Sequence, residues 1–562
     1  MKCSGAIFIV IVWANSSFGQ SPLIPLNSDY YHLIDRYEIK SGKFSDDFFT
    51  SYKPYRRRSV GRFLDSLSNG ESDADKFNID YLRNDNWEFS ASSNNDSSKP
   101  LFKKLYRKKS DAIHVDTDHF DLHVNPVAHL GFGNDGDSGS RPYIFTRGLQ
   151  LRGRVDDKVA FYSFIAENQM VMPQYGQQYL RSFGAIPSEG FWKQIEGTNG
   201  VDFFTARGYI DFKATKHINI QFGHDKNFIG NGYRSMILSD FSSSYFFLKF
   251  QTKVWRINYT NLFAELIADA PFTPFDRIGG SLGTRRFPKK YMALHHLSIN
   301  ITDNLNIGIF EATIFAKADT LGGRLEFNYL NPVIFYRGVE QLVGSPDNAL
   351  LGIDFKWNPG RHLSFYGQFL LDELIVSDLV QGTGWWGNKI SGQLGVKYID
   401  AFGQPNLDLQ LESNFARPYT YTHESLFTSY THYRQPLAHP LGANFSEFIG
   451  IARYQPIPRL NFTGKVIYAD QGRDENGLNY GSNVLRSYLT IIDEFDNTLG
   501  QGVSTKITFL DLTASYQLKH NLFIDLKQVI RKLDSSVDSR DTNSSYTALS
   551  LRLNIAQRLL EF

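Results

Sequence analysis

Cysteine is almost missing from this chain. Its single residue, Cys3, stands ahead of the first apolar stretch, so the rest can form no disulfide and offers no thiol chemistry. Long apolar runs are missing as well: beyond the N-terminus no stretch of about 20 apolar residues occurs, which excludes a helical membrane protein. Neither sign of charge is in surplus. With 59 Lys and Arg against 58 Asp and Glu, a formal net charge of +1 over 562 residues gives no reason to invoke nucleic acid.

What the chain does have is aromatic rings and alternation. Its 30 Tyr, 46 Phe and 7 Trp suit the two interfacial girdles of a membrane barrel. From Asp118 onward nearly every segment carries an apolar side chain at every second position. Leu407, Leu409 and Leu411 alternate with Asp408, Gln410 and Glu412, and Leu549, Leu551, Leu553 and Ile555 with Ser550, Arg552 and Asn554. A sustained period of two with charge on the opposite face predicts transmembrane strands around a polar lumen.

The pattern divides residues 118–562 into 18 candidate strands, from His119–Phe132 to Ser545–Gln557, an all-β transmembrane antiparallel barrel. Tight connections such as Asp156–Asp157, Gln251–Thr252 and Lys519–His520 all fall on one side, and long ones such as Gln169–Phe204, Ala316–Asp347, Pro418–Ala443 and Asp470–Val503 on the other. That asymmetry places the short turns and both termini in the periplasm and the long loops outside, among outer-membrane lipids. The terminal Phe562 resembles the aromatic end of barrel-assembly signals.

Two segments precede the barrel. Residues 1–19 read as a signal peptide, with Lys2 in the n-region, Ala6 to Trp13 apolar, and Ser17-Phe18-Gly19 before a cleavage point. Residues 20–117 turn to helix and loop, a small periplasmic or plug region: Tyr30, Leu33, Ile34 and Tyr37 mark one amphipathic face, and Val60, Phe63, Leu64 and Leu67 another. Lys103, Lys104, Arg107, Lys108 and Lys109 form a basic cluster, either a solvated face or a contact for lipid headgroups or an anionic polymer.

Function is sought in the loops and lumen. After the fifth strand, His224, Asp225, Asn227 and Arg234 offer donors and acceptors among three glycines, without the Lys-Ser/Thr ending of a phosphate-binding loop. Between Ala316 and Asp347 stand Tyr329, Asn331 and Arg337, with Arg324, Glu326 and Glu340 as ion pairs tying the loop into the lumen or as ligand contacts. A third stretch holds Arg417, Tyr419, Tyr421, His423, His432, Gln435 and His439. Flat aromatic faces beside amide, hydroxyl and imidazole groups suit sugar rings, and Trp192, Trp385 and Trp386 extend such a surface; ordinary girdle and loop packing is the competing account.

Catalysis finds no support. His295 and His296 are neighbours on a strand and point to opposite faces, so they cannot share a metal. Ser235 and Ser239 lack a nucleophile-elbow motif. No enzyme activity, cofactor or metal is expected.

The segments Gly223 to Asp240 (GHDKNFIGNGYRSMILSD), Lys289 to Asn300 (KKYMALHHLSIN), Leu325 to Trp357, Leu411 to His423 (LESNFARPYTYTH) and Thr431 to Phe445 (THYRQPLAHPLGANF) resemble the capsule-assembly Wzi family. The likeness is greatest to its gliding-motility RemB relatives, as is that of Asp29 to Phe44 (DYYHLIDRYEIKSGKF). The resemblance implies an 18-stranded outer-membrane barrel with a helical periplasmic element. In the capsule branch it implies a lectin-like hold on capsular or exopolysaccharide at the cell surface. The alternatives are a structural or transport component contacting gliding or secretion machinery proteins, and a porin-like channel.

Overall fold

The computed structural model describes residues 20–68, 70–136, 139–268, 287–316, 326–332, 336, 338 and 347–562. The leader over residues 1–19, and Arg324, Arg337 and Glu340, lie outside them. Eighteen antiparallel strands close into one barrel. In chain order they are β1 Phe120–Asp135, β2 Tyr143–Val155, β3 Val159–Val171, β4 Val201–Lys213, β5 Ile218–Asp225, β6 Tyr245–Val254, β7 Ile257–Ile267, β8 Lys289–Asn300 and β9 Leu305–Phe315. The circuit continues with β10 Asn348–Trp357, β11 Leu363–Glu373, β12 Lys389–Tyr398, β13 Leu407–Ala416, β14 Phe445–Ile457, β15 Leu460–Arg473, β16 Val503–Lys519, β17 Leu522–Ser535 and β18 Thr542–Leu553. β18 pairs back onto β1, with Leu551 opposite Leu130, which closes the wall.

The alternation read in the sequence is the alternation of the wall. In β16, Thr505, Ile507, Phe509, Asp511 and Thr513 turn inward and are buried, whereas Leu512 and Tyr516 stand exposed on the outer face. Every expected strand is present, but one turn moves. The corner between β6 and β7 is not Gln251–Thr252 but Trp255–Arg256, with Val254 paired to Ile257 and Trp255 at φ +52°. Such corners usually fall to Gly or Asn; here the ladder from Phe246–Glu265 down to Val254–Ile257 holds a Trp in the position.

The last strand also ends early. Asn554 adopts φ +53°, and residues 555–562 leave the wall to run up the lumen. Phe562 therefore does not terminate the closing strand, and the C-terminus does not lie in the periplasm as the sequence suggested. Its ring packs on Tyr175 and Tyr179 of α4 (Gln174–Phe183), a helix in the loop after β3, and its carbonyl accepts from Arg531 at 3.1 Å.

Three helices fill the short-turn end: α1 Ser28–Ser41, α2 Arg57–Ser66 and α3 Asp73–Asp85. Asn27 caps α1 by accepting from the Asp29 and Tyr30 N–H groups, Ser72 caps α3, and Gly42 ends α1 at φ +75°. Their apolar faces make a core of their own from Tyr31, Ile34, Tyr37, Phe48, Val60, Phe63, Leu64 and Leu82. The opposite face of α1 docks into the lumen by charge. Asp35 meets Lys356 and Lys397, Glu38 meets Lys356 at 2.8 Å, and Arg36 meets Asp75 at 3.2 Å, Asp400 at 2.5 Å and Asp408. Burial opposes ionisation of Asp35, but the two adjacent ammonium groups prevail and hold its carboxyl far below the usual carboxylate range.

The long-loop half of the lumen is filled by the segment after β5. Phe228–Ile229 pairs with Tyr52–Lys53 beside α1, and Met236, Ile237 and Leu238 then pack against Leu262, Met292, Leu294 and Phe310 of β7 to β9. Each fully buried Leu or Ile there is worth about 1.5–3 kcal/mol. A cavity of about 480 Å³, lined by polar and apolar side chains alike, remains between α1, the tail, strands β1 to β4 and strands β13 to β18.

The loop after β9 does not enter the lumen where it is described. The Tyr336 hydroxyl lies 2.6 Å from His295 Nε2, and Tyr259 donates to the Pro332 carbonyl at 2.6 Å, with His295 and Tyr259 at outward-facing positions of the wall. Asn261, His295 and Glu311 are adjacent outward polar residues, and a cover over them removes polar groups from the lipid face. The expectation of a loop tied into the lumen is corrected accordingly.

Candidate functional site at the long-loop rim

The sequence-derived candidates separate into four environments. His224 faces outward beside Phe246, ring centroids 4.9 Å apart, and its Nδ1 lies 2.9 Å from the Ala206 carbonyl. Asp225, one residue on, accepts from the Lys226 N–H at 2.8 Å. Tyr329 and Asn331 belong to the outer-wall cover: Tyr329 is fully buried and donates to Asp347 at 2.5 Å, and the carbonyl of exposed Asn331 accepts from Tyr336 at 3.2 Å.

A second set is consumed in tying loops together. Asn227 accepts from Lys249 at 2.9 Å and from Tyr52 at 3.1 Å. Arg234 donates to the Glu561 carbonyl at 2.8 Å and faces Glu447 at 3.4 Å. Tyr419 and Tyr421 hold positive φ, +66° and +70°, which folds their loop back over the lumen. Tyr419 donates to the Asn479 carbonyl at 2.7 Å and Tyr421 to the Met236 carbonyl at 2.8 Å. Gln435 bridges to the loop after β3, donating to the Glu189 carbonyl at 2.5 Å and accepting from the Ser188 N–H at 2.8 Å. His439 sits 2.7 Å from Glu447. His432 accepts from the Ile267 N–H at 3.0 Å, and its Nε2 lies 3.1 Å from the Ser244 carbonyl. Trp192 is likewise buried, its indole N–H directed to the Gly184 carbonyl at 3.2 Å.

Among the described candidates only one set remains together and open to solvent. Loop 374–388 lays Trp385 and Trp386 side by side, ring centroids 5.8 Å apart, and loop 474–502 brings Tyr488 to 4.8 Å from Trp386. His423 meets Tyr488 edge-on at 5.6 Å. Backbone hydrogen bonds lock the two loops: Trp386 N–H donates to the Glu494 carbonyl at 2.9 Å and Asp496 N–H to the Thr383 carbonyl at 2.9 Å. Arg417 braces them from below, donating to the carbonyls of Asn388 at 2.9 Å and Asn497 at 3.3 Å. Lys389 lies 5.0 Å from the Tyr488 ring and pairs with Asp372 at 2.9 Å. Burial brings His423 down to about 4, with Lys389 reinforcing it, so its ring is neutral at neutral pH.

An 18-stranded antiparallel barrel with short turns on one rim, long loops on the other and helices in its mouth is the frame of this aromatic rim. The model of the family described as capsule assembly protein Wzi matches residues 136–537. The chain belongs to the Wzi family. It is an outer-membrane β-barrel. Among solved structures, Wzi of Escherichia coli matches 96% of this chain and 100% of its own at 13% identity, with a TM-score of 0.57. OprD of Pseudomonas aeruginosa matches 77% of this chain and 94% of its own at 11% identity, TM-score 0.42. No curated protein matches.

In this Wzi-family barrel Tyr488 completes the open rim, yet the sequence reading passed over it. It lies among Ser487, Leu489 and Thr490 in a long polar loop, with no pattern to show that this loop folds across Trp386. Glu561 was missed for the same reason: nothing local announces that a chain end will pair with Lys465 of β15.

Proposed function

We propose that this Wzi-family barrel holds polysaccharide at the outer face of the cell through the platform of Trp385, Trp386 and Tyr488. The observation that carries the reading is selective exposure. The neighbouring Tyr419, Tyr421 and Tyr430 are fully buried, while these three rings lie together at the rim and only partly covered. Pyranose rings stack their C–H faces on such surfaces and place hydroxyls at the polar edge, here His423 and the loop carbonyls. The solved Wzi of Escherichia coli is described as a carbohydrate-binding barrel involved in group 1 capsule assembly, which supports the same role here.

Binding resting on stacking is insensitive to salt, unlike binding to a charged groove. The test is affinity of the detergent-purified protein for capsular and exopolysaccharide fractions of its native organism. Trp386→Ala is expected to weaken binding about tenfold or more, the scale of one lost aromatic contact, while the barrel remains folded. Unchanged affinity in the Trp385→Ala and Trp386→Ala variants would sink the site. A component of gliding or secretion machinery, the role implied by the resemblance to RemB, is the second reading. It is supported by the ionic side chains that α2 and α3 leave exposed at the short-turn end, among them Arg62 and Lys76. It predicts co-purifying partners that are lost on reversing those charges.

A further inference from the structure

The basic cluster at residues 99–109 takes no part in the rim or in docking the helices. Residues 100–105 form a tight turn closed by hydrogen bonds between Leu101 and Leu105, at 2.8 and 2.9 Å, with Phe102 and Lys103 in positive φ. That conformation thrusts Phe102 outward until it is 81% exposed, with Leu101 50% exposed beside it. Around this apolar tip stand Lys99, Lys103, Lys104 and Arg107, all exposed. Among the described residues none of these four is in an ion pair, whereas Lys108 pairs with Asp96 at 2.6 Å and Lys109 donates to the Asn94 carbonyl.

The location of the turn gives it meaning. The Tyr106 N–H donates to the Ala112 carbonyl at 2.9 Å, and the next residues, Ile113–Asp116, add a short strand to the lower half of β1. Ile113 pairs with Val124 and Val115 with Leu122, which puts both on the outer, lipid-facing side of the wall, where they are exposed. The apolar tip thus sits at the short-turn rim, beside the hydrocarbon boundary of the periplasmic leaflet. We propose that the 99–109 turn is a lipid-docking device: Phe102 and Leu101 enter the interface of the periplasmic leaflet, and Lys99, Lys103, Lys104 and Arg107 engage anionic phospholipid headgroups. An exposed aromatic ringed by unpaired cations is the composition that binds an anionic interface, because apolar burial and headgroup attraction add.

The test uses the full-length protein with Cys3 replaced by Ser and Phe102→Cys carrying an environment-sensitive fluorophore, reconstituted in nanodiscs of phosphatidylcholine alone or with phosphatidylglycerol. A label at Lys76→Cys serves as the water-exposed control. The expected result is a blue shift and several-fold weaker acrylamide quenching at position 102 in anionic nanodiscs, reversed when Lys99, Lys103, Lys104 and Arg107 are all changed to Gln. Retained heat-modifiable mobility on electrophoresis shows that this variant is folded. Full water access at position 102 in both lipids overturns the proposal. Equal burial in both lipids, indifferent to the Gln changes, overturns the headgroup contact.

Discussion

His432 shows how a single side chain can set the pH range of the extracellular lid. It is buried, and the Ile267 N–H must find a lone pair on Nδ1, so the neutral ring carries its proton on Nε2, facing the Ser244 carbonyl. Protonating Nδ1 would set two N–H groups against each other. Burial above all, with Lys290 nearby, brings this histidine from 6.5 down to about 3. The unfolded chain takes up the proton first as pH falls through 6.5, so the contribution is complete above that value and is lost progressively below it. We expect thermal stability to drop between pH 7 and pH 5 by about 2 kcal/mol from this residue; a His432→Gln variant with an equally steep pH profile would refute the assignment. Gly387 makes a second point at this scale. A Cβ there would lie 2.3 Å from the Trp385 ring, so Gly387→Ala must displace the indole. Polysaccharide affinity is expected to fall about tenfold, as for losing a stacking contact, with an unaltered melting temperature as the control.

Among the elements, the C-terminal tail and α1 do comparable work inside the lumen. Glu561 pairs with Lys465 and accepts from Tyr233 at 2.5 Å, and Arg558 reaches Glu189 at 3.2 Å. Removing residues 555–562 leaves Lys465 buried without its carboxylate, which costs about 3–5 kcal/mol. The wall itself is complete at Leu553. A truncated barrel that assembles but melts earlier is therefore expected in heat-modifiability assays; failure to assemble at all would contradict it. Asp35→Asn, which strips Lys397 of its carboxylate, is expected to destabilise to a similar degree. The strands were readable in the sequence because a period of two survives wherever one face meets lipid and the other does not. The corner at Trp255 and the departure at Asn554 were not, since both are imposed by pairing partners far away in the chain. The same limit applied to the site: the sequence offered Trp385 and Trp386, but the burial of Tyr421 and the approach of Tyr488 depend on which loops cross the lumen.

At the scale of the whole molecule, the described residues occupy both ends of the barrel. Helices fill one end, and Met236, Ile237 and Leu238 with Tyr421, Tyr430 and Leu437 fill the other. The porin-like alternative thus gives way to a filled lumen. No steady conductance is expected in planar bilayers, and deleting residues 29–67 alone should leave it blocked by the upper core. Stable wild-type channels would contradict that picture. The tail has a consequence of another kind. Its last residue finishes wedged against α4, below a lid made by loops from both sides. Because residues 555–562 touch α4, β15 and β17 at once, they staple together three parts of the molecule that the ladder of the wall leaves unjoined.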